Sequence, residues 1–194
     1  MTEANADGRY IGRTDLPLSP EGLHALLKLK EKYVYPGAVR FFCGPQQRCR
    51  QTLEVLYPGC APTAVPGLSE MDFGAFESRR IAELKGDEQF LRWMEGKLPG
   101  TPDGESVEDF RGRVCAAFEA VVDELIHRGQ TEAVVCAPGG VITLLMQLYS
   151  LPRLEPKDCL AAPGQGFTLR VTPSIWMNEP LAEALCVIPW EKEE

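Results

Sequence analysis

Apolar positions along the chain change their spacing several times, and each change marks an element. Ser19 offers an N-cap hydroxyl and Pro20 a first turn, so residues 20–34 are predicted as a helix. Val39 to Cys43 is a short apolar run halted by Gly44-Pro45, hence a strand. Gln46 to Tyr57 reads as a helix ended by Pro58-Gly59, and Ala64 to Leu68 as a short strand. Two short helices follow, Ile81 to Lys85 and Asp87 to Glu95. Ser106 then opens a longer one, with Asp109 at the capping-box position and Phe110, Val114, Ala117, Phe118, Val121 and Leu125 down one face. Ala133 to Ala137 is too short and too β-rich for a helix. It is predicted as a buried strand, broken by Pro138-Gly139-Gly140 before a helix from Val141 to Tyr149. Phe167 to Val171 and Ala184 to Ile188 complete the set as strands. Alternating strands and helices imply a mainly parallel sheet covered on both faces.

Composition narrows the class. The 194 residues show no repeat and no linker, so one domain over 1–194 is expected. Lys and Arg number 20 against 28 Asp and Glu, a net charge of −8. That balance excludes a nucleic-acid surface or a basic membrane anchor, while leaving room for a small basic pocket. No apolar run approaches the roughly 20 residues of a membrane span, and the polar, acidic opening residues are unlike a signal peptide. Seven cysteines without a Cys-x-x-Cys pair suit reduced thiols in the cytoplasm. The two histidines, His24 and His127, have no cysteine or carboxylate at ligand spacing, so no metal and no cofactor is expected.

Three segments carry chemistry. Arg48-Cys49-Arg50-Gln51-Thr52 opens a helix just after a strand, where a guanidinium and helix N–H groups suit a phosphate. Glu70-Met71-Asp72-Phe73-Gly74-Ala75-Phe76-Glu77 is an acidic, aromatic loop whose carboxylate could act as a general acid. The turn through Gly139 follows a strand and places backbone N–H groups at the carboxyl edge of the sheet. An ordinary solvated helix face, polar loop or strand-to-helix turn would look similar in each case taken alone.

In chain order these segments resemble the histidine phosphatase superfamily, or phosphoglycerate mutase-like family. Asn5, Gly8 to Gly22 (with Gly-Arg-Thr-Asp-Leu-Pro-Leu-Ser at its centre) and Gly104-Glu105-Ser106 add to the match, which runs from residue 2 to about residue 172. The small phosphatase branch, similar to α-ribazole phosphatase, looks nearer than the glycolytic mutases. The resemblance implies a three-layer α/β/α sandwich and hydrolysis of phosphomonoesters through a phosphohistidine. It also implies a pocket of two arginines and a second histidine, and a glutamate that protonates the leaving oxygen. Carried over, Arg48 matches the second phosphate-binding arginine, Glu70 the acid and Asn5 a phosphate-holding asparagine. The loop between Gly86 and Glu105 would shape specificity.

The sequence departs from the family pattern twice. The family's Arg-His-Gly-x-Thr-x-x-Asn motif aligns with Met1 at the x, Thr2 and Asn5, so the first strand, first arginine and nucleophilic histidine are not in this chain. Pro138 stands where the second histidine would open its turn, and proline offers neither an imidazole nor an N–H. His24 and His127 fall on helices away from the carboxyl edge. Cys43 and Cys136 end strands at that edge but lack a Cys-x5-Arg loop, since Cys49 follows Cys43 by six and Arg48 comes one position early. Both read as small buried hydrophobes. The missing strand lies near the middle of the family's sheet, where each unpaired buried backbone group costs about 1–3 kcal/mol. The expectation is therefore a phosphatase relative that is inactive or nearly so, with phosphate or a phosphorylated small molecule as its ligand. The alternatives are a non-catalytic module binding a phospho-ligand or protein, and an active phosphatase whose gene product starts upstream of Met1.

Overall fold

The computed structural model describes residues 1–192. In chain order it comprises α1 (Glu3–Ala6), α2 (Pro20–Lys32), β1 (Tyr33–Val34), β2 (Arg40–Cys43), α3 (Gln47–Leu56) and β3 (Thr63–Ala64). Then come α4 (Ile81–Leu84), α5 (Glu88–Met94), α6 (Val107–His127), β4 (Ala133–Cys136) and α7 (Gly139–Tyr149). The chain closes through β5 (Ser150–Leu151), β6 (Gly166–Arg170), α8 (Pro173–Trp176), β7 (Ala182–Ile188) and β8 (Trp190–Glu191). Single 3-10 turns span Pro66–Leu68, Gly74–Phe76 and Pro156–Cys159.

Local chemistry sets the helix starts. The Ser19 hydroxyl accepts from the Gly22 N–H at 2.9 Å with Pro20 behind it, which begins α2. Ser106 Oγ accepts from the Asp109 N–H at 3.0 Å and donates to its carboxylate at 2.6 Å, closing the first turn of α6. Gln46 caps α3 with no side-chain bond of its own. Asp15, far away in sequence, does that work by accepting from the Gln47 N–H at 2.7 Å.

The strands form a parallel sheet in the order β3–β2–β4 and a second in the order β5–β7–β6. In the first sheet Phe42 pairs with Val135 and Cys43 with Cys136. Alternation along β4 divides the packing. Val134 and Cys136 meet the cluster built by Cys43, Cys49 and Leu53 on the α3 side. Val135 meets Phe118, Val141 and Leu145 on the α6 and α7 side. Helices therefore cover both faces, which is the expected three-layer sandwich. A separate aromatic cluster of Tyr10, Phe73, Phe76, Phe90 and Trp93 packs edge to face beneath the 3-10 turn at Gly74–Phe76.

Several expected boundaries need correction. The strand expected over Ala64 to Leu68 keeps only Ala64. Pro66 lacks an N–H for a ladder, and the chain turns into a 3-10 helix instead. The helix expected to run to residue 34 stops at Lys32, because Tyr33 and Val34 pair with Glu191 and Trp190. The final sheet is mixed: β5 runs parallel to β7 and β6 antiparallel to it, with a register shift between Thr168 and Leu169. Within the described residues β4 bonds only to β2 and β6 only to β7. All four β4 residues are half-buried, although this strand lies between two helical layers.

Candidate functional site

The N-terminus of α3 places Arg48 at the mouth of a cavity of about 430 Å³. Its guanidinium donates to the Thr14 carbonyl and to the Gly12 carbonyl, each at 3.0 Å, so the side chain is held rather than free to swing. The loop it grips is organised in turn by Glu77. That carboxylate accepts from the N–H groups of Gly12, Arg13 and Phe73 at 3.0–3.2 Å, and from the Thr14 hydroxyl at 2.7 Å. A Cβ at Gly12 would stand 1.9 Å from the Met71 carbonyl and 2.3 Å from Glu77, so only glycine allows this approach. No carboxylate lies within ion-pair distance of Arg48 among the described residues.

Glu70 lines the same cavity and is 8% exposed. One carboxylate oxygen accepts from its neighbour Met71 N–H at 2.9 Å, the other from the Gly140 N–H of α7 at 2.9 Å. Burial pushes its carboxyl above the ordinary value of 4.5. The two N–H groups, Arg48 and Arg113 pull the other way without overcoming that. A carboxyl held upward in this way is the kind suited to proton donation.

Arg113 of α6 fixes the loop that carries Glu70. It donates to the carbonyls of Gly67 and Ser69 at 2.9 and 3.0 Å and to the Ser69 hydroxyl at 2.9 Å, and grips Glu105 through two bonds at 2.9 and 2.7 Å. Asn5 stands at the rim, its side-chain oxygen accepting from the Thr2 hydroxyl at 2.8 Å. Gly139 is exposed at the first turn of α7 and also lines the cavity. Pro138 is the N-cap of α7. Its φ of −60° suits that place, and its carbonyl accepts from the Ile142 N–H at 3.0 Å. The fold thus accommodates the proline without strain, whatever it removes from the chemistry.

Asn5, Arg48, Glu70 and Gly139, separated by up to 134 positions, therefore share one cavity. His24 and His127 do not: both are exposed, and His127 meets the Asp123 carbonyl at 2.7 Å. Cys43 is buried against Cys49 and Leu53, with its thiol pushed up by burial. Cys136 is also pushed up, by its contact with Cys49 and by burial. Sequence reasoning missed the supporting groups Glu77, Asp15 and the Arg113–Glu105 pair. Glu77 and Glu105 lie in segments that stood out by motif, but nothing in their spacing says what they hold. No group of three or more His, Cys, Asp or Glu among the described residues is arranged to hold a metal ion, and no described helix is long and apolar enough to cross a membrane.

Residues 1–162 match the histidine phosphatase superfamily (branch 1). The chain is 30% identical over 170 residues to the probable phosphoglycerate mutase GpmB of Citrobacter koseri, covering 81% of this chain and 77% of that protein. Its fold superimposes on the alpha-ribazole phosphatase of Shigella flexneri with a TM-score of 0.78 at 22% identity, covering 100% of this chain and 95% of that one. Superposition on a phosphoglycerate mutase of Thermus thermophilus gives 0.67 at 26% identity, with the same coverage.

Proposed function

The chain belongs to the histidine phosphatase superfamily, and on that premise we propose that it binds phosphate or a phosphomonoester without hydrolysing it at the family's rate. The observation that carries this reading is the meeting of Arg48, Asn5, Glu70 and the start of α7 at one cavity that neither of the chain's two histidines reaches. Arg48 supplies a held cation with no carboxylate paired to it among the described residues, and the Gly139 turn supplies a helix N-terminus. Together these attract an anion. Glu70, its carboxyl raised by burial, lines the same cavity, where it could donate to a phosphate oxygen.

What the described lining of the cavity does not include is an imidazole. A phosphohistidine needs an imidazole at the phosphorus. Two thiols line it: Cys136 is pushed up by its contact with Cys49 and by burial, whereas Cys49 is pulled down, chiefly by that same contact and further by Arg48. On this reading the chain keeps the binding half of the family's reaction and lacks the imidazole that its phosphohistidine step needs. Seven free thiols accord with a reducing, cytoplasmic setting.

The test is calorimetry and thermal shift with inorganic phosphate and phosphosugars on the 194-residue chain and on Arg48→Ala, together with p-nitrophenyl phosphate turnover. Binding at millimolar phosphate that Arg48→Ala abolishes, with no turnover above background, is the expected result. Turnover by the unaltered chain that disappears in Arg48→Ala overturns the non-catalytic reading, and no thermal response to any phosphate overturns the binding one.

A further inference from the structure

Four of the seven cysteines, all free thiols, meet in one place. Cys43 ends β2, Cys136 ends β4, and the two are register partners on neighbouring parallel strands. Cys49 stands in the first turn of α3 and shares its buried face with Leu53, four residues on, so the helix brings a third thiol onto the same pair. Cys60, beyond the end of α3, packs against this cluster. Within it the Cys49 and Cys136 thiols engage each other directly.

Geometry selects which two can join. A disulfide needs β-carbons about 3.5–4.5 Å apart. Register partners on parallel strands stand side by side at the strand spacing, about 4.7–4.9 Å, with side chains pointing the same way. Cys43 and Cys136 therefore cannot close a bond unless the β2–β4 ladder distorts. Cys49 reaches Cys136 from the helix layer, outside that ladder, and is under no such restraint. The two thiols are also unequal. Contact with Cys136 pulls the Cys49 thiol down and Arg48 adds to that, while burial, Glu70 and Asp15 oppose it. The first turn of α3 favours its thiolate further. The same contact, with burial, pushes Cys136 up. One thiol is thus suited to attack and the other to stay protonated until the second step.

We infer that Cys49 and Cys136 are a redox-active dithiol, oxidised by hydroperoxides to a disulfide that ties the first turn of α3 to the end of β4. Peroxide, little larger than water, enters by the mouth at Arg48. The Cys49 thiolate attacks one peroxide oxygen, the O–O bond breaks, and the departing hydroxide leaves as water with the proton that the thiol gave up. The Cys136 sulfur then attacks the sulfur of the Cys49 sulfenic acid. The S–S bond forms, the S–O bond breaks, and a second water carries off the Cys136 proton. Two thiols have lost two electrons and one peroxide has gained them. A dithiol reductant reverses the step by exchange. The bond stands directly behind the anion site, between the helix that carries Arg48 and the strand that leads into Gly139.

Peptide mapping of the whole protein tests this. The reduced chain is treated with a slight excess of hydrogen peroxide, its remaining thiols are blocked with iodoacetamide, and it is digested with trypsin without reduction. Cleavage after Arg48 and Arg50 isolates Cys49 from Cys43, and Cys136 is the lone cysteine between Arg128 and Arg153. The expected result is the loss of two of the seven free thiols, a linked Cys49–Cys136 peptide, and full recovery with dithiothreitol. The pair forms at least about tenfold faster than the exposed Cys186 thiol is oxidised. In Cys136→Ser the reaction stops at the sulfenic acid and dimedone labels Cys49, whereas in Cys49→Ser Cys136 stays unlabelled. Arg48→Gln, which removes the cation beside Cys49, slows the bond at least about threefold. Linkage through Cys43, oxidation of Cys186 ahead of the pair, dimedone on Cys136 in Cys49→Ser, or an unchanged rate in Arg48→Gln would each overturn the inference. So would the same mixture of linked peptides from the chain oxidised in urea. Mapping of the unaltered chain needs no substitution and decides the matter even where a serine variant fails to fold. Phosphate binding is read by calorimetry on the reduced protein, so the two readings fail separately.

Discussion

Replacing Arg113 by Met is the most demanding test of how the Glu70 loop is held. Met keeps the aliphatic stem that lies against Phe110, where the guanidinium carbon sits 5.3 Å from the ring centre. What is lost is the guanidinium and its bonds to Gly67, Ser69 and Glu105. The Glu105 side chain is only 8% exposed, against 22% for Arg113. Without Arg113, Glu105 retains a 3.4 Å bond from the Asp72 N–H and a contact with Arg13 at 4.0 Å. Removing one partner of a buried ion pair typically costs about 3–5 kcal/mol, and the partial exposure of Arg113 puts this case near the lower figure. At roughly 2–4 °C per kcal/mol for a chain of this size, a loss of about 3 kcal/mol lowers Tm by about 6–12 °C. Glu105→Gln is the milder change, about 1 kcal/mol, because the amide oxygen still accepts and Arg113 keeps its carbonyl partners. The double variant is expected to be more stable than the sum of the two losses implies by at least about 0.5 kcal/mol, measured by urea unfolding in a four-point cycle. An Arg113→Met cost under about 1 kcal/mol, or strict additivity, would refute the claim that this pair anchors the loop.

Other outcomes follow from single contacts. Burial raises the Glu70 carboxyl, so the native state binds more protons than the unfolded state just above pH 4.5, and its contribution to stability falls as pH rises through that window. Glu70→Gln is expected to remove that fall, read as a flatter urea midpoint from pH 4.5 upward; an unchanged slope argues against Glu70 as its source. A Cβ at Gly140 would stand 2.3 Å from Glu70 Oε1, so Gly140→Ala forces the carboxylate off its two N–H donors. Lower Tm and a weakened phosphate response in thermal shift are expected together. Leu68 is wholly buried at the start of the same loop, and Leu68→Ala is expected to cost about 2–5 kcal/mol by chemical denaturation.

Sequence legibility followed the range of the interactions involved. The start of α6 was readable because Ser106 and Asp109 are three residues apart and cap locally. The strands β2 and β4 were readable because their apolar runs are bounded by proline and glycine. Failures came where distant partners decide. Tyr33 and Val34 leave α2 to pair with residues some 157 positions away, and no local propensity encodes that. The same division runs through the site. Arg48, Glu70, Asn5 and Gly139 could be picked out by motif, whereas Asp15, Glu77 and Arg113 act on backbone groups brought near only by folding.

Pro138 is a departure from the family resemblance whose effect on the fold can be read directly. The proline removes a side chain that chemistry would use, yet its φ and its carbonyl serve the α7 cap well, so the fold is indifferent to it.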